Sequence, residues 1–194
     1  MSIPSNVLTN ADLVAYWNLT RGDNKTVLTE KELYQCGVMV KLIDVLPPTG
    51  SNIYLTDAIA DQNYNGINYK SVPDFLDSSF ANYVEKNQIN NNGTSLKVSN
   101  VSQDYLSMAL RGLWNDAKVN IWMGIVNPAT GSILYAYRMF SGYIDYFSSD
   151  FNNTAGNTTN ETTVNLNSLW KKLDQTQRLL SSTSVHQSLH TGDK

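Results

Sequence analysis

The stretch that decides the fold is Lys118-Val-Asn-Ile-Trp-Met-Gly-Ile-Val126, followed by Asn127-Pro-Ala-Thr-Gly131 and Ser132-Ile-Leu-Tyr-Ala-Tyr-Arg-Met-Phe140. The first and third segments are rich in branched and aromatic side chains, which favour strands. The middle segment has the Asn, Pro and Gly of a turn. The sequence therefore predicts a long β-hairpin over 118–140. Ser141-Gly142 is predicted to break its second strand, which resumes over 143–147.

Further strands are indicated on both sides of this hairpin. Branched apolar residues over 37–46 stop at Pro47-Pro48, and Asn65-Gly66 lies between aromatic-bearing flanks, a strong short-range hairpin signal. Residues 94–99 alternate apolar and polar side chains, as a half-buried strand does. The remaining predicted elements are a strand over 53–56, a helix over 102–112, a flexible Asn/Thr loop over 150–160 and a strand over 161–170.

The N-terminal residues carry helix signals instead. The segment 10–17 places Leu13, Tyr16 and Trp17 on one helical face. Thr29 and Glu32 have the spacing of a capping box, which predicts a second short helix. Two interpretations remain open: this region is an arm that docks on a neighbouring subunit, or a lid over the chain's own core.

These patterns predict an α+β fold that is mainly β, with a β-barrel or sandwich core and short peripheral helices. We divide the chain into an N-terminal helical arm or lid at 1–36, a β-rich domain at 37–170 and a polar C-terminal segment at 171–194. The C-terminal segment has few apolar side chains to offset the entropy lost on ordering. We expect it to become ordered only by packing along its own domain or against a neighbouring subunit.

The composition bounds the classes of partner. Only 16% of the 194 residues are charged, the net charge is −3, and 23 residues are Asn. A polar but nearly uncharged surface suits permanent packing between subunits, although base composition of the gene explains the Asn content equally well. Scattered Lys and Arg argue against nucleic acid as the main partner. No apolar stretch approaches the roughly 20 residues that a membrane anchor requires.

Ionisable side chains form only weak candidate sites. His186 and His190 have the spacing at which two imidazoles on a helix share a metal, but their Ser-rich context is poorly helical. Two carboxylate pairs have spacings of interest for a glycosidase: Asp57 with Asp61, and Asp74 with Asp77. Loop carboxylates of this kind are usually only solvated. No nucleophile motif or phosphate loop is present, so we predict no enzyme activity, no metal and no cofactor.

Six short motifs, taken in order, carry a resemblance to a known family. They are Ile53-Tyr-Leu-Thr56; Tyr64-Asn-Gly-Ile-Asn-Tyr69; Ser95-Leu-Lys-Val-Ser-Asn-Val101; Ala117-Lys-Val-Asn-Ile-Trp122; Phe140-Ser-Gly-Tyr-Ile-Asp145; and, after Trp170, a terminal group of Arg178, the Ser-rich run 181–184, Gln187 and Gly192-Asp193. In this order they resemble the minor tail, or tail-tip hub, proteins of siphophages. Lambda-type members add a cysteine-bound iron–sulfur part, whereas this chain has only Cys36.

The resemblance implies a core of tail-hub type and a structural role at the virion tail tip, after synthesis in the cytoplasm of the host bacterium. The implied partners are other phage tail proteins: the tail tube or a distal tail protein, and central fibre or hub proteins. A homo-oligomeric ring, trimer or hexamer, is expected. The alternatives are a distal tail adaptor protein, or a tail-borne carbohydrate-binding or glycan-degrading domain. The interface candidates are Leu13, Tyr16, Trp17, Trp170, Arg178, Gln187 and Asp193.

Overall fold

The computed structural model describes residues 3–71, 94–99, 112, 114, 116–154 and 157–168. Within these ranges the chain forms three short helices followed by eight strands. The helices are α1 Ser5–Leu8, α2 Ala11–Arg21 and α3 Glu30–Gln35. The strands are β1 Met39–Leu46, β2 Ile53–Thr56, β3 Gln62–Tyr64, β4 Ile67–Ser71, β5 Thr94–Ser99, β6 Lys118–Val126, β7 Ile133–Thr154 and β8 Asn157–Ser168. The predicted α+β, mainly β class is confirmed.

Side-chain caps define the two longer helices. The Oδ1 atom of Asn10 accepts hydrogen bonds from the N–H groups of residues 12 and 13, both at 3.1 Å, and α2 ends at Gly22 with φ of +70°. At the start of α3, the Thr29 hydroxyl accepts from the N–H of Glu32, and the Glu32 carboxylate accepts from the N–H of Thr29. The predicted capping box is confirmed.

The described strands lie in one sheet with the order β3-β4-β2-β1-β6-β7-β8-β5. Strands β2 and β4 are parallel, and the other neighbours are antiparallel. The sheet is curled, as a hydrogen bond between distant strands indicates. The N–H of Ala136 on β7 donates to the hydroxyl of Tyr64 on β3 at 3.1 Å. Four strands separate β3 from β7 in the sheet order. The expected barrel or sandwich core therefore takes the form of a single curled sheet, whose enclosed side we call the concave side.

Both predicted hairpin turns are present. Between β3 and β4, Asn65 and Gly66 have φ of +51° and +78°, the two left-handed conformations of a type I′ turn. Between β6 and β7, the Oδ1 atom of Asn127 accepts from the N–H of Ala129, and its carbonyl accepts from the N–H of Gly131, both at 2.8 Å. The long hairpin predicted over 118–140 is confirmed.

The predicted break at Ser141-Gly142 is wrong. Strand β7 continues through this position, with Gly142 paired to Val119 on β6 and to Ser168 on β8. A Cβ atom on Gly142 would collide with the Asn167 carbonyl oxygen and with the ring of Phe140. A residue without a side chain is therefore needed at this position, because a neighbouring strand and a ring approach the backbone closely. The glycine does not end the strand.

The predicted flexible loop over 150–160 is also wrong. Strand β7 extends to Thr154 and β8 begins at Asn157, with antiparallel pairs from Asp150↔Glu161 to Thr154↔Asn157. Polar composition suggested a loop, but Thr has a high strand propensity, and backbone pairing does not require apolar side chains. The result is a long hairpin whose second strand also pairs with β5.

Apolar side chains pack on both sides of β1. Ile43 and Val45 belong to a cluster with β6, β7, β8 and Trp114, whereas Leu42 belongs to a cluster on the concave side with Tyr69 of β4. A third cluster joins the N-terminal helices to the sheet through Ile125. Because β1 is covered on both sides, its residues 42–45 are all buried.

Candidate functional site

The concave side holds a buried carboxylate, that of Asp44, which is only 7% exposed. Its Oδ1 atom accepts a hydrogen bond from the Tyr69 hydroxyl at 3.0 Å. Its Oδ2 atom accepts from Nε1 of Trp122 at 2.7 Å and from Nδ2 of Asn120 at 3.3 Å. Asn120 in turn accepts from the Ser141 hydroxyl at 2.8 Å. One carboxylate therefore connects β1 to β4 and β6 directly, and to β7 through Asn120.

Strand register creates this arrangement. Asp44 on β1 lies opposite Asn120 on β6 and opposite Tyr54 on β2. Trp122 follows Asn120 by two residues and shares its side of the sheet. Tyr69 contacts Tyr54 edge-to-face at 5.6 Å between ring centroids, which positions its hydroxyl near Asp44. Burial raises the pKa of the Tyr69 hydroxyl, and the neighbouring Asp44 carboxylate raises it further.

The hydrogen bonds of this cluster connect strands of the sheet. The three donors to Asp44 are neutral groups, and they satisfy a buried carboxylate that would otherwise be costly. A general base needs access to a substrate proton, and this carboxylate is enclosed by its own sheet. The cluster is not evident from the amino-acid sequence. The available signal was one Asp inside the apolar run Leu42-Ile-Asp-Val-Leu46.

The carboxylates of Asp57 and Asp61, proposed from the sequence as an acid–base pair, hold a turn in place. Oδ1 of Asp57 accepts from the N–H of Lys41 at 2.6 Å, and Oδ2 lies 3.9 Å from Nζ of Lys41. Oδ1 of Asp61 accepts from the N–H of Ser71 at 2.8 Å. The turn between them presents Ile59 with its whole side chain in solvent.

The N-terminal interface candidates lie mostly inside the chain. Leu13 is fully buried and Trp17 is 6% exposed, because both pack with Ile125 of the sheet. Tyr16 is half-buried. In this conformation the Leu13 and Trp17 side chains pack against the chain's own sheet.

Helices α1, α2 and α3 form a layer over the sheet, which we call the helical layer. Charged side chains lie at its outer edge. Nε1 of Trp17 donates to Asp23 at 2.8 Å, and the Arg21 and Lys25 cations lie 5.5 and 5.9 Å from the centroid of the Trp17 ring. Lys25 also forms an ion pair with Glu32. This pairing, together with the Thr29 N–H at the helix cap, lowers the pKa of Glu32 to about 2, and the Glu32 carboxylate raises the pKa of Lys25.

Several large apolar side chains in the part of the chain that the structure describes remain in solvent. Among these described residues, Ile59 and Leu19 are the most exposed, the latter at 86%. The others are Val27, Tyr34, Met139 and Tyr146. They come from the helical layer, the turn after β2, and β7. Such side chains are candidates for contact with other proteins, although single exposed apolar residues are common on monomers.

The other candidates lie outside the described residues: Trp170, Arg178, Gln187, Asp193, His186, His190, Asp74 and Asp77. The same holds for the helix predicted over 102–112, apart from Gly112. Across the described ranges, no three His, Cys, Asp or Glu side chains are grouped so that they could bind a metal ion. None of the described helices has the length and apolarity needed to cross a membrane.

No family model and no curated protein matches the chain. Among solved structures, the chain is similar to one from the "Virion of native gene transfer agent (GTA) particle", with a TM-score of 0.54 and 21% sequence identity. The match covers 77% of this chain and 47% of that chain, so the present chain spans about half the length of its structural relative. At this level of identity, the similarity shows a shared fold.

Proposed function

We propose that the chain is a non-enzymatic structural subunit of a phage-type virion, located at the tail tip or baseplate hub. There it links the tail tube to central fibre or receptor-binding proteins. The observation that carries the proposal is the fold shared with a chain of a gene transfer agent virion over 77% of the present chain. The tail-hub motifs, which occur in the same order as in the family, support the same kind of assembly, and this support comes from the sequence and not from the fold comparison.

The described surface is compatible with a building block. The Asp44, Asp57 and Asp61 carboxylates are used to hold the fold together, which leaves none of them arranged as a catalytic pair. Exposed apolar side chains such as Leu19 and Ile59 suit contacts that form only in an assembly. We propose that copies form a ring through head-to-tail contacts, with three or six copies per tail.

Purified particles test the proposal. The gene is deleted and complemented with the intact chain carrying a short tag, and the particles are analysed by quantitative mass spectrometry and by immunogold labelling. We expect the tagged chain at one tail end and a loss of infectious or transducing particles on deletion. Six copies would favour a distal tail adaptor over a three-copy hub. Absence of the chain from purified particles, with normal particles after its deletion, would refute the structural role.

The C-terminal segment provides a second arm of the same experiment. We propose that residues 178–194 contact a neighbouring tail protein, since this segment carries the terminal part of the family resemblance. A chain lacking 178–194 should remain soluble and folded by circular dichroism but should not enter particles. Normal incorporation of the truncated chain would show that Arg178, Gln187 and Asp193 are not contact residues.

A further inference from the structure

The hairpin formed by β3 and β4 is at one edge of the sheet, where Tyr64 and Tyr69 pack with the concave-side cluster and the backbone attachment is limited. Its link to the rest of the sheet is the parallel pairing of β4 with β2, which contains two residue pairs, Leu55↔Lys70 and Thr56↔Ser71. By comparison, β1 and β6 share eight pairs. The hairpin therefore depends on side chains to stay in position.

Two tyrosine hydroxyls supply that attachment. At one end of the hairpin, Tyr69 donates to Oδ1 of Asp44 at 3.0 Å. Next to the turn, the Tyr64 hydroxyl accepts from the N–H of Ala136 at 3.1 Å. Beneath the hairpin, Leu42 and Ala136 are buried together with Tyr69, and Trp122 packs against them.

The base of the hairpin is fixed separately. The N–H of Ser71 donates to Asp61 at 2.8 Å, and the Ser71 hydroxyl donates to the Ala58 carbonyl at 2.5 Å. These bonds lie at the C-terminal end of β4, outside the part of the hairpin that Tyr64 and Tyr69 attach.

We propose that residues 62–70 form a flap that opens about Ser71, and that the Tyr69–Asp44 hydrogen bond is its latch. When the flap opens, Asp44 keeps the hydrogen bonds from Trp122 and Asn120, so the carboxylate is not left without donors. The Tyr69 hydroxyl and the Ala136 N–H bond to water instead. Opening is therefore a local event that leaves β1, β6 and β7 paired. The inference does not depend on the proposed virion role.

Hydrogen exchange measured by mass spectrometry on the intact chain tests the latch. The variant Tyr69→Phe keeps the ring and removes the hydroxyl. A hydrogen bond to a charged group contributes about 1.5–3 kcal/mol, so exchange in peptides covering 62–70 should become on the order of 10- to 100-fold faster. Exchange in β6 should stay unchanged.

Matched variants give the controls. Tyr54→Phe removes the hydroxyl of the ring that contacts Tyr69; that hydroxyl accepts from Asn52 at the surface, and its loss should leave exchange in the flap unchanged. Tyr64→Phe breaks a bond between neutral groups and should speed flap exchange less than Tyr69→Phe does. If Tyr69→Phe accelerates exchange equally in the flap and in β6, or has no more effect than Tyr54→Phe, there is no latched flap.

Discussion

The two sides of strand β1 are stabilised by different kinds of interaction. On one side, Ile43 and Val45 lie in a cluster built from apolar side chains. On the concave side, Leu42 is accompanied by Asp44, whose carboxylate takes hydrogen bonds from three side chains. Apolar contacts are non-directional and tolerate small changes of shape. Hydrogen bonds to a buried carboxylate are directional, so they fix the relative positions of the strands that supply the donors.

The largest effect is expected from removing the carboxylate. Asp44→Ala leaves the donors on Tyr69, Trp122 and Asn120 without their acceptor, at about 1–3 kcal/mol for each buried donor that stays unpaired. We expect the free energy of unfolding, measured in urea, to fall by about 3 kcal/mol or more. Asp44→Asn is the control, since a flipped amide can accept from Trp122 and donate to Tyr69, and it should cost less. A loss below about 1 kcal/mol in Asp44→Ala would show that the network contributes little.

A smaller effect is expected on the apolar side. Ile43 is 1% exposed, and Ile43→Val removes one methylene, which should cost about 0.5–1.5 kcal/mol in the same urea assay. The matched control is Ile59→Val, because the Ile59 side chain is wholly exposed and its change should stay within about 0.5 kcal/mol. Equal losses in the two variants would contradict the burial assigned to Ile43.

Alkaline pH should weaken the concave side through Tyr69. Burial and the Asp44 charge raise the pKa of Tyr69 above its ordinary value of 10.0, so the folded chain holds this proton more tightly than the unfolded chain does. The resulting stability is complete below pH 10 and is lost as the pH rises above it. We expect the free energy of unfolding to fall more steeply above pH 10 in the wild type than in Tyr69→Phe. Identical slopes in the two proteins would mean that folding does not raise the pKa of Tyr69.

The smallest effect is expected at the surface of the helical layer. The pKa of Glu32 is lowered from 4.5 to about 2 by Lys25 and by the Thr29 N–H. Its contribution is present above pH 4.5 and is lost as the pH falls toward 2. Acid should therefore weaken α3, and the effect should shrink with added salt because the pair lies at the surface with Lys25 partly in solvent. In Glu32→Gln the helical circular dichroism signal should lose this part of its pH dependence; an unchanged acid transition would count against the pair.

Local chemistry explains which parts of the fold were predictable from the sequence. Asn65-Gly66, Asn127 and the Thr29–Glu32 capping box each specify their backbone conformation within a few residues, and the structure has all three. Gly142 was misinterpreted because its environment comes from strands that are distant in sequence. The strands over 150–160 are not evident from the sequence because their polar composition is typical of a loop, whereas backbone pairing does not require apolar side chains.

The candidate site was less predictable for the same reason. The Asp44 carboxylate accepts hydrogen bonds from Tyr69, which is 25 residues away in sequence, and from Trp122, which is 78 residues away. Local spacing therefore does not reveal the network. Sequence periodicity correctly placed Leu13 and Trp17 on one apolar face, but it does not distinguish a face that packs on the chain's own sheet from one that packs on another subunit. The structure shows that this face packs on the chain's own sheet.

The most direct test of the proposed role is a cryo-EM reconstruction of the tail tip of the particle. We predict density for the curled sheet in a ring of three or six copies between the tail tube and the central fibre. The N-terminal helices should pack on their own sheet, and exposed apolar side chains such as Leu19 or Ile59 should lie at contacts with neighbouring chains. A complete tail-tip map in which every chain is assigned to other proteins would contradict the account.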